Sequence, residues 1–403
     1  MQPSTHFSKY ARFCRLSFFL ALPLLLVVGC SSHTVKTTQA TPVIQEHTEI
    51  PEAELLDVGI YLFDPGLDNA NDDDQIIFPE IRNAESRFMP FRLMETLQTS
   101  SAWGAVRVIP ATQNAIDVTV SGLILQSDGE QLKVQVTVKD ATGRHWFSKD
   151  YNGVASKYAY TKQRTGNVPP EPFQNLYNMI ANDMLNFRRN SLDGLALRTI
   201  RTTAELKFAQ DFSPSAFGGH LSSDNNGELQ IVRLPAENDP MLQRIRQIRE
   251  RDYLFVDTLQ DYYGSFVKEM DKPYKQWRGQ SYNEVVALRE LQREALVRKI
   301  AGVAAVIGGI AASGSSNSSG RAAGSVAVAG GAYMIKSGFD KGAESEMHVE
   351  ALQELGDSLE AAIEPQVIEL EDRTITLSGT VENQYDQWRD LLREIYKVDT
   401  GGI

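Results

Sequence analysis

Gln131-Leu132-Lys133-Val134-Gln135-Val136-Thr137-Val138-Lys139-Asp140 alternates without a lapse. Leu132, Val134, Val136 and Val138 fall on one side, and Lys133, Gln135, Thr137 and Lys139 fall on the other, the period of a half-buried strand. Toward the N-terminus, residues 117–126 follow the same rule, with Val118, Val120 and Ile124 on one face. Ser127-Asp128-Gly129-Glu130 between the two is a hairpin turn. Toward the C-terminus, residues 140–143 are a second turn and residues 144–151 a third strand. One polar and one apolar face over three successive strands predicts an antiparallel meander that needs helices on its apolar side.

Those helices and the remaining strands flank the meander. Residues 55–63 (LLDVGIYLF) read as a buried strand, and residues 105–109 as a short one. Between them Pro90 fits the first turn of a helix over residues 91–99, where its missing N–H costs nothing. Leu93 and Leu97 lie one turn apart on that helix. After the meander, residues 171–188 carry Phe173, Leu176, Ile180, Met184 and Phe187 at helical spacing. Residues 52–190 therefore form an α/β domain with a mostly antiparallel sheet.

With "LMETLQTSSAWGAVRVIP" and the turn Asp140, Thr142, Gly143, Trp146, this domain resembles a periplasmic α/β module. The module occurs in the curli secretion lipoprotein, in lipoprotein activators of penicillin-binding proteins, and at the N-terminus of the Tol-system propeller protein. The resemblance covers about 135 residues and implies a fold that binds protein partners or assembles, without chemistry of its own.

Residues 191–237 show little pattern and are read as a connector, with Asp224-Asn225-Asn226-Gly227 as a turn before a strand over residues 228–234. Residues 238–364 are expected to be helical. Asp239 is a candidate N-cap with Pro240 behind it, and Phe255, Leu259, Tyr262, Phe266 and Met270 make an apolar stripe. Pro273 is expected to end this run, and Ser281-x-x-Glu284 to start the next as a capping box. Helical character then reaches about Ser313, and after a loop at 314–320 it resumes over 321–364 and stops at Pro365. The resulting expectation is a long antiparallel helical hairpin.

The hairpin tip, residues 301–335, holds a single charge, Arg321. Ala301, Ala305, Gly309 and Ser313 place small side chains every fourth position on one arm; Ala323, Ala327 and Gly331 do so on the other. Small faces let backbones approach closely, and glycine in a water-exposed helix costs about 1 kcal/mol relative to alanine. The segment is therefore read as a packing surface: within one chain, between copies in a homo-oligomer, or against a membrane. Each arm, at roughly 20–24 Å, is short for a bilayer.

The last unit, residues 365–403, is a strand pair and a helix over residues 385–397. Its "Ile-Thr-Leu-Ser-Gly-Thr-Val-Glu" (375–382) is similar to the strand that opens a helix in small periplasmic BON-type domains, which bind phospholipid or neighbouring proteins.

The N-terminus supplies the location. Lys9, Arg12 and Arg15 precede an uncharged run over residues 16–28, which ends in Val27-Val28-Gly29-Cys30. That is a signal sequence, and its final four residues resemble the lipobox of bacterial lipoproteins. The resemblance implies cleavage of residues 1–29 and lipidation of Cys30, with more than one acyl chain, as stable anchoring requires. Ser31, where the sorting rule for inner-membrane retention has Asp, implies the periplasmic face of the outer membrane. Residues 30–51, rich in Thr, Ser and Pro, read as a flexible tether.

Removal of the leader takes the formal charge from −12 to −15, which excludes nucleic acid as a partner class, since that affinity comes from cationic contacts to phosphates. Cys14 leaves with the leader and Cys30 is modified, so no thiol remains for a disulfide, a metal or catalysis. The six histidines have no metal spacing, and no nucleophile, nucleotide or zinc motif is present. Asp68, Asn69, Asn71, Asp72, Asp73 and Asp74 offer oxygens suited to calcium but lack the glycine and distal glutamate of an EF-hand, so they read as a solvated loop. Trp103, Trp146, Trp277 and Trp388 are expected in the core or at interfaces. The expectation is an α+β lipoprotein without cofactor, a non-catalytic binding or assembly component with cell-envelope protein partners. The alternatives are a pore-forming oligomer built through the tip and an envelope hydrolase.

Overall fold

The computed structural model describes residues 41–68, 79–160, 171–312, 363–369 and 374–401, with side chains of the long helix as far as Val286. The chain is α+β. Its main sheet has the order β2-β1-β3-β4-β5. The strands are β1 (Val58–Tyr61), β2 (Val106–Ile109), β3 (Val118–Ser127), β4 (Gln131–Asp140) and β5 (His145–Val154). The meander β3-β4-β5 is antiparallel, but β1 runs parallel to both β2 and β3, so the sheet is mixed. Leu132, Val134, Val136 and Val138 are fully buried on one face of β4.

The turns follow from their acidic residues. Asp128 Oδ1 accepts the N–H groups of Glu130 and Gln131 at 2.8 and 2.6 Å. Asp140 Oδ1 accepts from Thr142 N at 2.9 Å, its Oδ2 accepts from Trp146 Nε1 at 2.9 Å, and Gly143 takes a φ of +90°. The Asp-x-Thr-Gly-x-x-Trp pattern is thus one hydrogen-bonded unit, and Trp146 stacks on Phe187, ring centroids 4.8 Å apart.

Helix α1 spans Pro79–Thr99 and keeps Pro90 in its interior, rather than starting there. Pro90 cannot donate to the Ser86 carbonyl four residues back; the Phe63 N–H donates to it instead, at 2.9 Å. Helix α2 is Gln174–Ser191. The expected connector is helix α3 (Gly194–Phe212), capped by Asp193 Oδ1 on Ala196 N at 2.8 Å, then a short α4 (Pro214–Phe217) and a hairpin of β6 (Leu221–Ser223) and β7 (Leu229–Ile231). Thr199 and Thr203 obscured α3, because threonine is a weak helix former. Here their hydroxyls bond the carbonyls one turn back, at 2.8 Å each.

Helix α5 runs unbroken over Pro240–Ala312. Asp239 caps it, its Oδ1 accepting from Met241 N and Leu242 N at 2.8 and 3.2 Å. Pro273 does not end it, and Ser281 is a buried mid-helix residue rather than a cap. Packing overrides the local signals, since Phe266, Val267 and Met270 before Pro273, and Tyr274 and Trp277 after it, share one cluster with Ile81, Ala84 and Phe88 of α1. The expected helix up to Pro365 is also corrected at its end: strand β8 is Ile363–Glu369, paired antiparallel with β9 (Thr374–Gly379). Pro365 is tolerated because the register shifts between Ile363 and Gln366, a bulge that needs no N–H from proline. The second hairpin arm, 321–362, lies outside the described residues.

Helix α6 (Val381–Asp399) starts at Thr380, whose Oγ1 accepts from Asn383 N at 3.2 Å. It is no appendage. Trp388 stacks on Phe255 of α5 at 5.0 Å, and one contiguous core joins the sheet, α2, α3, the first part of α5 and α6. All four tryptophans are buried.

Candidate interaction site

Ala301, Ala305 and Gly309 lie on the last turns of α5, at successive one-turn spacings. Cys30, Ser313, Ala323, Ala327 and Gly331 are outside the described residues, as are residues 69–74 of the acidic loop. Past Val285, the last side chain of α5 seen buried, the helix continues for another 27 residues, or about 40 Å at 1.5 Å per residue. What the small-residue segment can do therefore depends on how firmly the base of α5 is held.

Four sets of contacts, among others, hold the base. First, Gln260 of α5 pairs with the exposed edge of β2, its Oε1 accepting from Val108 N at 2.9 Å and its Nε2 donating to Val108 O at 2.8 Å. One side chain thereby supplies the partner that an edge strand lacks. Second, Arg107 of β2 grips Asp257 with Nε at 2.5 Å and Nη2 at 3.0 Å. Third, Arg92 of α1 reaches Asp271 at 3.0 Å. Fourth, Arg278 is buried in a two-pronged pair with Glu171, beside Glu85, which accepts from Ser127 and Tyr274. Burial pushes the Glu85 carboxyl up, against Arg82, the two hydroxyl donors and Arg278.

A polar groove of about 650 Å³ opens where α3 and α6 meet the β2–β3 loop. Lys207 donates to Asn114 O at 2.8 Å, and burial lowers its pKa. Arg389 binds Asp211 and stands 3.5 Å from the buried Asp252. Arg393 reaches Asp390 at 2.9 Å, and Thr112 donates to Asp386 at 3.2 Å. The lining holds no serine, cysteine or histidine, and its cations and carboxylates neutralise one another across the seam. Its geometry is that of a polar weld between helices.

No family model, curated protein or solved structure matches this chain. The reading therefore rests on its own residues. Among them, no group of His, Cys, Asp and Glu is arranged to hold a metal ion, and no helix is long and apolar enough to cross a membrane, both among the described residues.

Sequence reasoning missed Gln260, the Arg278–Glu171 pair and the groove. Gln260 is 152 positions from Val108, and Arg278 is 107 from Glu171; no local pattern joins partners that far apart.

Proposed function

We propose that the protein is a lipoprotein anchored through Cys30 at the periplasmic face of the outer membrane, where it serves as a non-catalytic binding or assembly component of a cell-envelope complex. The observation that carries this reading is α5. One uninterrupted helix has its first half cemented to the α/β domain and bears Ala301, Ala305 and Gly309 near its far end. A rigid arm ending in a close-packing face suits a protein that docks onto other chains or onto its own copies. The pattern shared with the curli-secretion and penicillin-binding-protein-activator modules points the same way.

The test uses full-length protein extracted in mild detergent, with mass measured by light scattering. Gly309→Leu and Gly331→Leu are expected to reduce the assembled mass while the melting temperature moves little. An unchanged mass with a lower melting temperature would make the contact internal and overturn the reading. Palmitate labelling that is lost in Cys30→Ala checks the anchor.

A further inference from the structure

The main sheet treats its two edges differently. Gln260 caps β2 by taking both main-chain groups of Val108. At the other edge β5 lies outermost. The Ala155 N–H donates to Glu130 O at 2.8 Å, and hydrogen-bonded pairs alternate along an antiparallel ladder. Leu132 stands opposite Gly153, Val134 opposite Tyr151 and Val136 opposite Lys149, so Gly153, Tyr151 and Lys149 turn their main-chain groups to β4. Ser148, Asp150, Asn152 and Val154 turn theirs outward, and among the described residues no further strand pairs with them. Such an edge is a template for another chain.

The features that usually guard an edge are weak here. The register shift of β5 lies at its start, opposite Val138 and Lys139, so residues 148–154 form a regular ladder. Lys149 lies on the α2 side, where a charge can block pairing, but it is bound to Asp183 at 2.6 Å, and Tyr151 donates to the same oxygen at 2.8 Å. On the open face Asp150 is held by Lys133 and by Gln135, at 3.1 Å each. Beside the strand, half-buried Met179 and Phe187 lie one turn to either side of Asp183 on α2.

Charge and register select the occupant. A twofold axis normal to the sheet keeps α2 on one side in both copies and makes an isologous, closed contact. It also pairs residues of equal parity. An axis at Lys149 or at Asp150 would set like charges directly opposite, which is unfavourable. An axis at Ser148 runs the ladder into the irregular start of β5, and one at Asn152 shortens it to residues 150–154. An axis at Tyr151 sets Asp150 opposite Asn152 and Ser148 opposite Val154, all four through outward main-chain groups. It sets Lys149 opposite Gly153, which has no side chain to displace it. It also lies beside Asp183, so Met179 of one α2 can meet Phe187 of the other in a favourable sulfur–ring contact.

We propose that β5 pairs antiparallel with β5 of a second copy about a twofold axis at Tyr151, joining two five-stranded sheets into one. This interface is separate from the small-residue end of α5 and does not depend on the Cys30 anchor.

The test uses the full-length chain in mild detergent under air oxidation. Asp150→Cys/Asn152→Cys places thiols directly opposite across the axis. In Ser148→Cys/Asn152→Cys they stand diagonally, beyond the ~7 Å between α-carbons that a disulfide spans. The first variant is expected to give about tenfold more covalent dimer than the second, because only it meets that geometry. The native chain, treated alike, gives the background from Cys30. Asn152→Pro removes an outward N–H but no bond to β4, and is expected to lower the mass in light scattering about twofold. No excess of covalent dimer in the first variant, with both variants melting as the native chain does, overturns the inference. A mass that still exceeds one chain would then place assembly at α5 and leave the function proposed above standing.

Discussion

Arg278 of α5 and Glu171, just ahead of α2, form a two-pronged ion pair at 2.6 and 2.9 Å, with side chains 1% and 7% exposed. The guanidinium also lies 4.0 Å from the Tyr274 ring centroid. Glu171→Ala would leave that cation buried without its partner, which costs about 3–5 kcal/mol. Urea unfolding should show the loss. The double variant Glu171→Leu/Arg278→Met should be more stable than Glu171→Ala alone, because no unpaired charge remains.

Gly129 sits in the β3–β4 turn against the backbone of α5. A β-carbon there would lie 2.1 Å from Tyr282 N and 2.3 Å from Arg278 O. Backbone on both sides cannot yield without moving the helix or the hairpin. Gly129→Ala is expected to lower stability by about 2 kcal/mol, as overpacking does, with a matching drop in the urea midpoint.

Asp117 is buried, accepts from Asp57 N at 2.9 Å, and lies 3.9 Å from Arg249. Burial pushes its carboxyl up from 3.8 to about 6. Between those values the folded chain keeps a proton that the unfolded chain has released, so stability falls as pH rises from about 4 to about 6. The limit from this one group is about 3 kcal/mol. In Asp117→Asn the slope over that window should flatten. A residual slope of the same sign should persist, because burial also pushes Glu85 and Asp252 up. Urea titrations at half-unit steps of pH read both.

Residues 41–46 lie as a strap on α2, where Asn178 donates to Thr41 O and Asn182 donates to Pro42 O and accepts from Ile44 N, three hydrogen bonds in all. At about 1 kcal/mol each, removing them should raise the population of released strap on the order of a hundredfold. Limited proteolysis of Asn178→Ala/Asn182→Ala should cut within residues 41–50 much faster than in the parent, while the core stays resistant.

The sequence showed most clearly where structure is made by neighbours. The meander was readable because strand period and turn chemistry are local: Val134 and Val136 alternate with lysine and glutamine, and Asp128 and Asp140 bond amides two or three residues on. The Asp239 cap was readable for the same reason. Proline gave the misleading signals. Pro90 and Pro273 each marked a helix boundary by local rules, yet both lie inside helices, since tertiary packing against α1 and α5 outweighs one missing bond. Helix α3 was hidden by its threonines, and the strap by a Thr- and Pro-rich composition that usually means free coil.

The amino-acid order alone determined the α+β class, the half-buried face of β4 and the small-residue spacing of Ala301, Ala305 and Gly309. Each depends on residues within a turn or two of one another. Only the tertiary structure decided that α5 is one helix, that α6 belongs to the common core, and that residues 41–46 are bound rather than loose. Those outcomes depend on buried area and on hydrogen bonds between positions more than a hundred residues apart, such as Thr41 with Asn178 and Val108 with Gln260. The energy of such contacts exists only once the chain has brought the partners together.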